Sequence, residues 1–243
     1  MKIIFSRKGF DSGSGGAASP ILDGRPISLP IPATKNSATT YSELGIGDLV
    51  SAATRGRIDG SHLCHHDPMF VQDGRCIFGQ CDSAQSHLAN QAVGNGDTFI
   101  FFGLFREEAT GEKHHRIFGF LEIEEVIPVR AISNEARSKI AAFKHPHLIG
   151  DRGPSDTIYR GHGIAAGKDH AELRLTVEGG PLSLWRIPSW LRETGLSYHG
   201  AAERWLPNGN LKSVARGQEF VADVGERTEP RHWLEATKAL IRS

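Results

Sequence analysis

The apolar and polar positions of the chain divide it into short alternating runs separated by glycine- and proline-rich stretches. Residues 1–6 (MKIIFS) are rich in Ile and Phe and predict a strand, and residues 9–16, dense in Gly and Ser, must then form a loop. Residues 25–32 (RPISLPIP) read as extended, because each proline disfavours helix in the residue before it. In residues 40–54, Thr40 as a cap with Glu43 three positions on predicts a helix. Residues 79–93 predict a second helix, closed by Gly94 and Gly96. The clearest β pattern is the pair 97–105 (DTFIFFGLF) and 116–129 (RIFGFLEIEEVIPV), two aromatic runs around Gly111 that predict an antiparallel pair.

Residues 134–143 predict a helix, and 145–170 carry Gly, Pro, His and Asp at loop density. Residues 171–177 and 182–190 predict further strands around a Gly179–Gly180 turn. The final stretch, 230–242, opens on Pro230 and has helical apolar spacing and basic residues in its last turn, which predicts a C-terminal helix. No internal repeat, low-complexity tract or linker interrupts the pattern. The expectation is an α+β fold in one domain over residues 1–243: a mixed or antiparallel sheet, or a PUA-like, partly closed β-barrel, with flanking helices.

Composition narrows the class. The 243 residues are 39% hydrophobic and 23% charged, as in a globular chain, and 28 Lys+Arg balance 28 Asp+Glu. Net charge therefore gives no support to nucleic-acid binding, although a local basic groove can hide in a neutral total. Three cysteines, Cys64, Cys76 and Cys81, are too few for a disulfide framework. With no apolar run of signal-peptide or membrane-spanning length, a cytoplasmic protein without membrane contact is expected.

Three stretches hold candidate chemistry. In the first, Arg7 and Lys8 supply charge, Asp11 and Ser12 offer proton transfer or attack, and Gly13, Gly15 and Gly16 can turn backbone N–H groups towards an anion. Its spacing matches neither common nucleotide loop. In the second, residues 62–68 (HLCHHDP), Cys64, Cys76, Cys81 and His87 are all metal-ligand types, but the short clamps of zinc sites are missing and no metal site is assigned. His66 and Asp67 can form an acid/base pair, although neighbours on a strand face opposite ways. The third combines residues 196–205 with 215–220: Tyr198, His199, Arg204, Trp205, Arg216, Gln218 and Glu219, where aromatics stack a base, Gln reads an edge and Arg holds phosphate.

Taken in order, the segments SRKGFDSGSGGAASPILDGRPISLPIP, HHDPMF, FGQCDSAQSHL, GDTFIFFGLFR, WRIPSW, LSYHG and ARGQEFV resemble the nucleotide modification associated domain 3 family over nearly the whole chain. The resemblance implies a prokaryotic or phage-borne protein tied to systems that modify or process DNA bases. Its motif positions are Arg7, Lys8, Asp11, Ser12, Asp67, Gln80, His87, Tyr198, His199, Trp205, Arg216, Gln218 and Glu219. The three cysteines fall outside it. Residues 84–147 are also similar to the middle of EVE and other PUA-like barrels, which implies a pocket for a modified or extruded base.

The reading that follows is an enzyme acting on bases or nucleotides, by group transfer or N-glycosidic hydrolysis, with DNA or a nucleotide as partner. Asp11, His199, Glu219 and Ser12 are its candidate catalytic residues; Arg7, Lys8, Asp67, Gln80, His87, Tyr198, Trp205, Arg216 and Gln218 bind substrate. No motif names a cofactor. The alternatives are a reader that binds a modified base without altering it, and a metal-dependent nuclease using Asp11, His66 and Asp67.

Overall fold

The computed structural model describes residues 1–215 and 217–243, so Arg216, one of the expected phosphate contacts, lies outside the described residues. The strands are β1 (Lys2–Arg7), β2 (Ser19–Leu22), β3 (Arg25–Pro26), β4 (Met69–Val71), β5 (Arg75–Gln80), β6 (Thr98–Glu107), β7 (Lys113–Pro128), β8 (Thr157–His162), β9 (Leu184–Arg186), β10 (Asn210–Lys212) and β11 (Glu219–Asp223). The helices are α1 (Gly47–Thr54), α2 (Asp82–Asn90), α3 (Asn134–Ala141), α4 (Ser189–Thr194) and α5 (Thr228–Arg242).

Among the described residues, nine strands form one mixed sheet in the order β11-β1-β6-β7-β8-β5-β4, with β2 and β3 attached beside β6, while β9 and β10 pair separately. The β1–β6 pairing is parallel and the pairings along the rest of the path are antiparallel. The fold is α+β as expected. The sheet is not closed into a barrel, which corrects the PUA-like alternative for the middle segment.

Alternation sorts the central strands onto two cores. Ile3 and Phe5 of β1, Ile100 and Phe102 of β6, Ile117 and Phe120 of β7, and Phe220 of β11 pack with Trp190, Leu234 and Ile241 of α4 and α5. Ile4, Phe99, Phe101, Leu121 and Val221 face the other side, with Phe78 of β5 and Leu88 of α2. Burial on both faces is why β1 and β6 read as almost continuous apolar runs.

The sheet curls. Register shifts interrupt β7 opposite Phe101/Phe102 and again at Ile123/Glu125 beside β8, and such bulges increase local twist. At the second shift a Cβ on Gly161 would lie 1.9 Å from the Glu122 carbonyl oxygen, so only glycine lets β8 approach there. Curling brings β5 back beside β11 although β1, β6, β7 and β8 lie between them, and Gln80 Nε2 donates to Glu219 Oε1 at 2.7 Å.

Four local expectations change. Thr40 and Glu43 do form the reciprocal cap contacts, Thr40 N–H to Glu43 Oε2 at 2.7 Å and Glu43 N–H to Thr40 Oγ1 at 3.2 Å. They close a turn, because Gly45 takes a φ of 70° and α1 starts only at Gly47. Gly79 and Gln80 end a strand rather than open a helix. The stretch 145–170 contains β8, and 171–177 is a 3-10 turn followed by isolated bridges.

Candidate functional site

A cleft of about 650 Å³ opens where the C-terminal ends of β1 and β5 meet the start of β11, and its volume lies in the range of small-ligand sites. Arg7, Lys8, Asp11, Asp67, Gln80, His87, Tyr198, Gln218 and Glu219 line it. Nine of the sequence-derived candidates are therefore brought together from five separate stretches.

The cleft floor is organised around Glu219, whose side chain is 1% exposed. Lys8 Nζ lies 2.8 Å from its Oε1 and 4.4 Å from the centre of the Phe78 ring. Gln80 Nε2 donates to the same oxygen, while Gln80 Oε1 accepts from the Cys81 N–H at 3.1 Å, which fixes the amide's orientation. Among the described residues, Glu219 Oε2 is buried without a hydrogen-bond partner. A buried carboxylate oxygen left unpaired costs on the order of 1–3 kcal/mol or more, which a ligand's donor can recover.

At the rim, Tyr198 is 54% exposed and holds a φ of 66°, unusual for a bulky side chain. Its ring lies 4.4 Å from that of His87. His87 Nε2 is 2.9 Å from Ser197 Oγ, and because this hydroxyl already accepts the Val221 N–H, its own proton is free to go to the imidazole. Burial lowers the His87 pKa, with Glu219 opposing. The result is a two-ring platform above the floor.

The opening loop answers differently from expectation. Asp11 Oδ1 accepts the N–H groups of Gly13 and Ser14, each at 2.7 Å, and the Asp11 carbonyl accepts that of Gly16. The anion these N–H groups hold is the loop's own carboxylate. The Arg7 guanidinium donates to the carbonyls of Ala215 and Val214 at 2.8 and 3.1 Å, which anchors these two residues from inside, and burial lowers its pKa. Lys8 is committed to Glu219. Exposed Lys35, which the sequence reading missed, lines the cleft as well.

Three candidates stand apart. Ser12 is exposed outside the lining. His199 is fully buried, its Nδ1 on the Ser197 carbonyl at 2.8 Å and its Nε2 accepting the Val214 N–H at 3.2 Å. With both ring nitrogens occupied by backbone, and burial lowering its pKa, it braces the loop instead of moving a substrate proton. Trp205 donates to the His199 carbonyl at 2.7 Å and packs on the core.

The cysteine set does not assemble. Cys64 packs with Phe10, Leu29, Tyr41 and Val50, Cys76 with Phe78 and Tyr159 in a different core, and burial pushes the Cys64 thiol up to about 12. The nuclease set does not assemble either, because His66 lines a separate shallow pocket with Met69 and Phe143. Its neighbours His65 and Asp67 line the main cleft, as alternation along an extended chain requires.

Asp67, 3% exposed, accepts the Gly79 N–H on both oxygens at 3.1 and 3.2 Å. Around it stand His65, His145 and His147, with Nε2 to carboxylate distances of 3.6, 3.5 and 3.7 Å. Burial alone would raise the Asp67 pKa, but the imidazoles more than reverse this and hold it below the carboxylate range. His147 Nδ1 contacts Asp156 Oδ1, and its pKa is lowered, burial outweighing that partner. His65, His147 and Asp156 went unassigned from sequence; the His-x-Asp spacing was the available signal for His65.

Fold and cleft define an α+β protein whose curled, open mixed sheet carries a polar small-ligand cleft at one end. The chain belongs to the nucleotide modification associated domain 3 family, whose model matches residues 2–223. Its family ties it to nucleotide modification. Neither the curated proteins nor the solved structures gave a match. Among the described residues no helix is long and apolar enough to cross a membrane.

Proposed function

We propose that the cleft takes a nucleotide or an extruded nucleic-acid base, in a prokaryotic or phage modification system, and acts on it as an enzyme. The observation that carries this reading is Glu219: a buried carboxylate in the cleft lining, with one oxygen paired to Lys8 and Gln80 and the other without a partner among the described residues. A base presents ring or exocyclic N–H donors, and the free oxygen takes one of them. With Lys8 beside it, Glu219 is also the group best placed to move a proton during base-directed group transfer or glycosidic cleavage.

The remaining lining divides the recognition. The Tyr198–His87 pair offers a face for stacking, which tolerates any base. Gln218, whose Oε1 lies 3.4 Å from the internally committed Gln80 Nε2, offers an edge contact. Lys35 and Arg216 remain the candidates for phosphate. Asp11 shapes the loop that forms the cleft wall.

Incubation with free nucleotides, unmodified DNA and phage DNA carrying hypermodified bases, followed by mass spectrometry of nucleosides and released bases, tests the reading. A species gained or lost with the wild type and at least ~100-fold slower with Glu219→Gln is expected from loss of an acid/base group. Equal turnover by the variant would remove Glu219 from the chemistry. Specific binding without any turnover would favour the reader, which the internally committed charges of Arg7, Lys8 and Asp11 suit.

A further inference from the structure

We infer that His65, Asp67 and His147 form a binding site for one divalent first-row transition-metal ion on the wall of the cleft. One ring nitrogen of each histidine and one Asp67 carboxylate oxygen lie within 4.8 Å of one another. At 3.6 and 3.7 Å from Asp67 Oδ2, the two nitrogens are beyond hydrogen-bond distance. A four-coordinate ion with bonds of about 2.0–2.1 Å holds adjacent ligand atoms roughly 3.3 Å apart, so small movements suffice to close the set.

The surrounding groups orient these ligands as a metal site requires. Asp156 holds Nδ1 of His147, which leaves its Nε2 lone pair towards Asp67; a carboxylate behind a ligating imidazole both fixes the tautomer and raises its basicity. His145 is fully buried. Its Nδ1 accepts the His147 N–H at 3.3 Å, and its Nε2, otherwise unpartnered among the described residues, points at Asp67 Oδ1 from 3.5 Å. Oδ1 thus faces His145 while Oδ2 faces the other two imidazoles. Gly79 completes the cradle: a Cβ there would lie 2.3 Å from His147 Cδ2.

His65 binds an ion through Nε2 only with its proton on Nδ1, which faces Arg152 Nη2 at 3.3 Å. That guanidinium nitrogen already donates to the Asn36 carbonyl at 2.8 Å, so metal loading gives up the longer contact. Two imidazoles and one carboxylate suit Zn²⁺, Fe²⁺ or Co²⁺ better than Mg²⁺ or Ca²⁺. All three ligands line the cleft, so the ion's remaining positions are open to water or to a bound molecule. This inference does not depend on the role proposed for Glu219.

The test is titration of chelator-stripped full-length protein with Co²⁺, read by visible d–d absorption, and with Zn²⁺, read by calorimetry. One ion per chain is expected, with Zn²⁺ displacing Co²⁺. Asp156→Asn should weaken binding by about 10–100-fold, and Asp67→Asn and His147→Ala by more, while Glu219→Gln binds as the wild type does. Circular dichroism separates lost ligands from lost folding. Wild type that neither develops the absorption nor takes up Zn²⁺ overturns the site, as does folded Asp67→Asn or His147→Ala that binds like wild type.

Discussion

Lys8 and Glu219 meet across 211 positions of sequence, in a place where each needs the other. Lys8 is 10% exposed and Glu219 1%, so neither charge is well solvated, and removing one partner of such a pair costs about 3–5 kcal/mol. Lys8→Met should therefore lower the urea-unfolding free energy by roughly 3 kcal/mol or more. Adding Glu219→Leu to it should restore part of that loss, since the double variant leaves no buried charge. Equal stability of Lys8→Met and wild type would mean that water or relaxation serves Glu219. The sequence showed both residues as candidates, but it showed Lys8 as a charge for binding substrate. Its commitment to Glu219 depends on a neighbour that no local pattern announces.

At the level of elements, β5 does the most to place the site. Its last two residues supply Gly79, whose N–H holds Asp67, and Gln80, whose amide holds Glu219. Gly79 also lies flat against the buried His147 ring. Gly79→Ala should cost about 1–3 kcal/mol through overpacking, because backbone and a pinned ring both resist displacement. Chemical denaturation measures it, and a change below ~0.5 kcal/mol would mean that the His147 ring moves freely. This strand was hidden because the apolar run 76–78 is short and flows into the polar pattern of α2, so helix periodicity absorbed its end. The strand β8 was hidden differently: Gly161 and His162 belong to it, yet they read as loop residues until the close approach to Glu122 explains the glycine.

For the whole molecule, the response to acid follows from histidines that are buried away from the cleft. Burial, with Arg174 and Arg116 nearby, lowers the His114 pKa to about 4, and burial with Arg7 does the same for His115. Above the ordinary value of 6.5 both rings are neutral whether the chain is folded or not, so they do not affect stability. As pH falls below 6.5, the unfolded chain binds protons that the folded chain refuses until about pH 4, and stability drops through that window. The loss between pH 7.5 and 5 should be on the order of 2–4 kcal/mol for the two rings. Urea unfolding across that range measures it, and His114→Gln should flatten the slope. A flat profile in the wild type would mean that both rings titrate normally in the fold.

Local pattern was enough for β1, β6, β7, α3 and α5, because alternation, caps and helical spacing act within a few residues. It also marked nine of the residues that line the cleft. Where β8 runs, how the sheet curls, and which charges are spent on the protein itself were decided only by tertiary structure. Except for His65, the partners that hold Glu219 and surround Asp67 with imidazoles come from segments tens to more than two hundred residues away. Desolvation, which gives those contacts their strength, exists only once the curled sheet has brought them together.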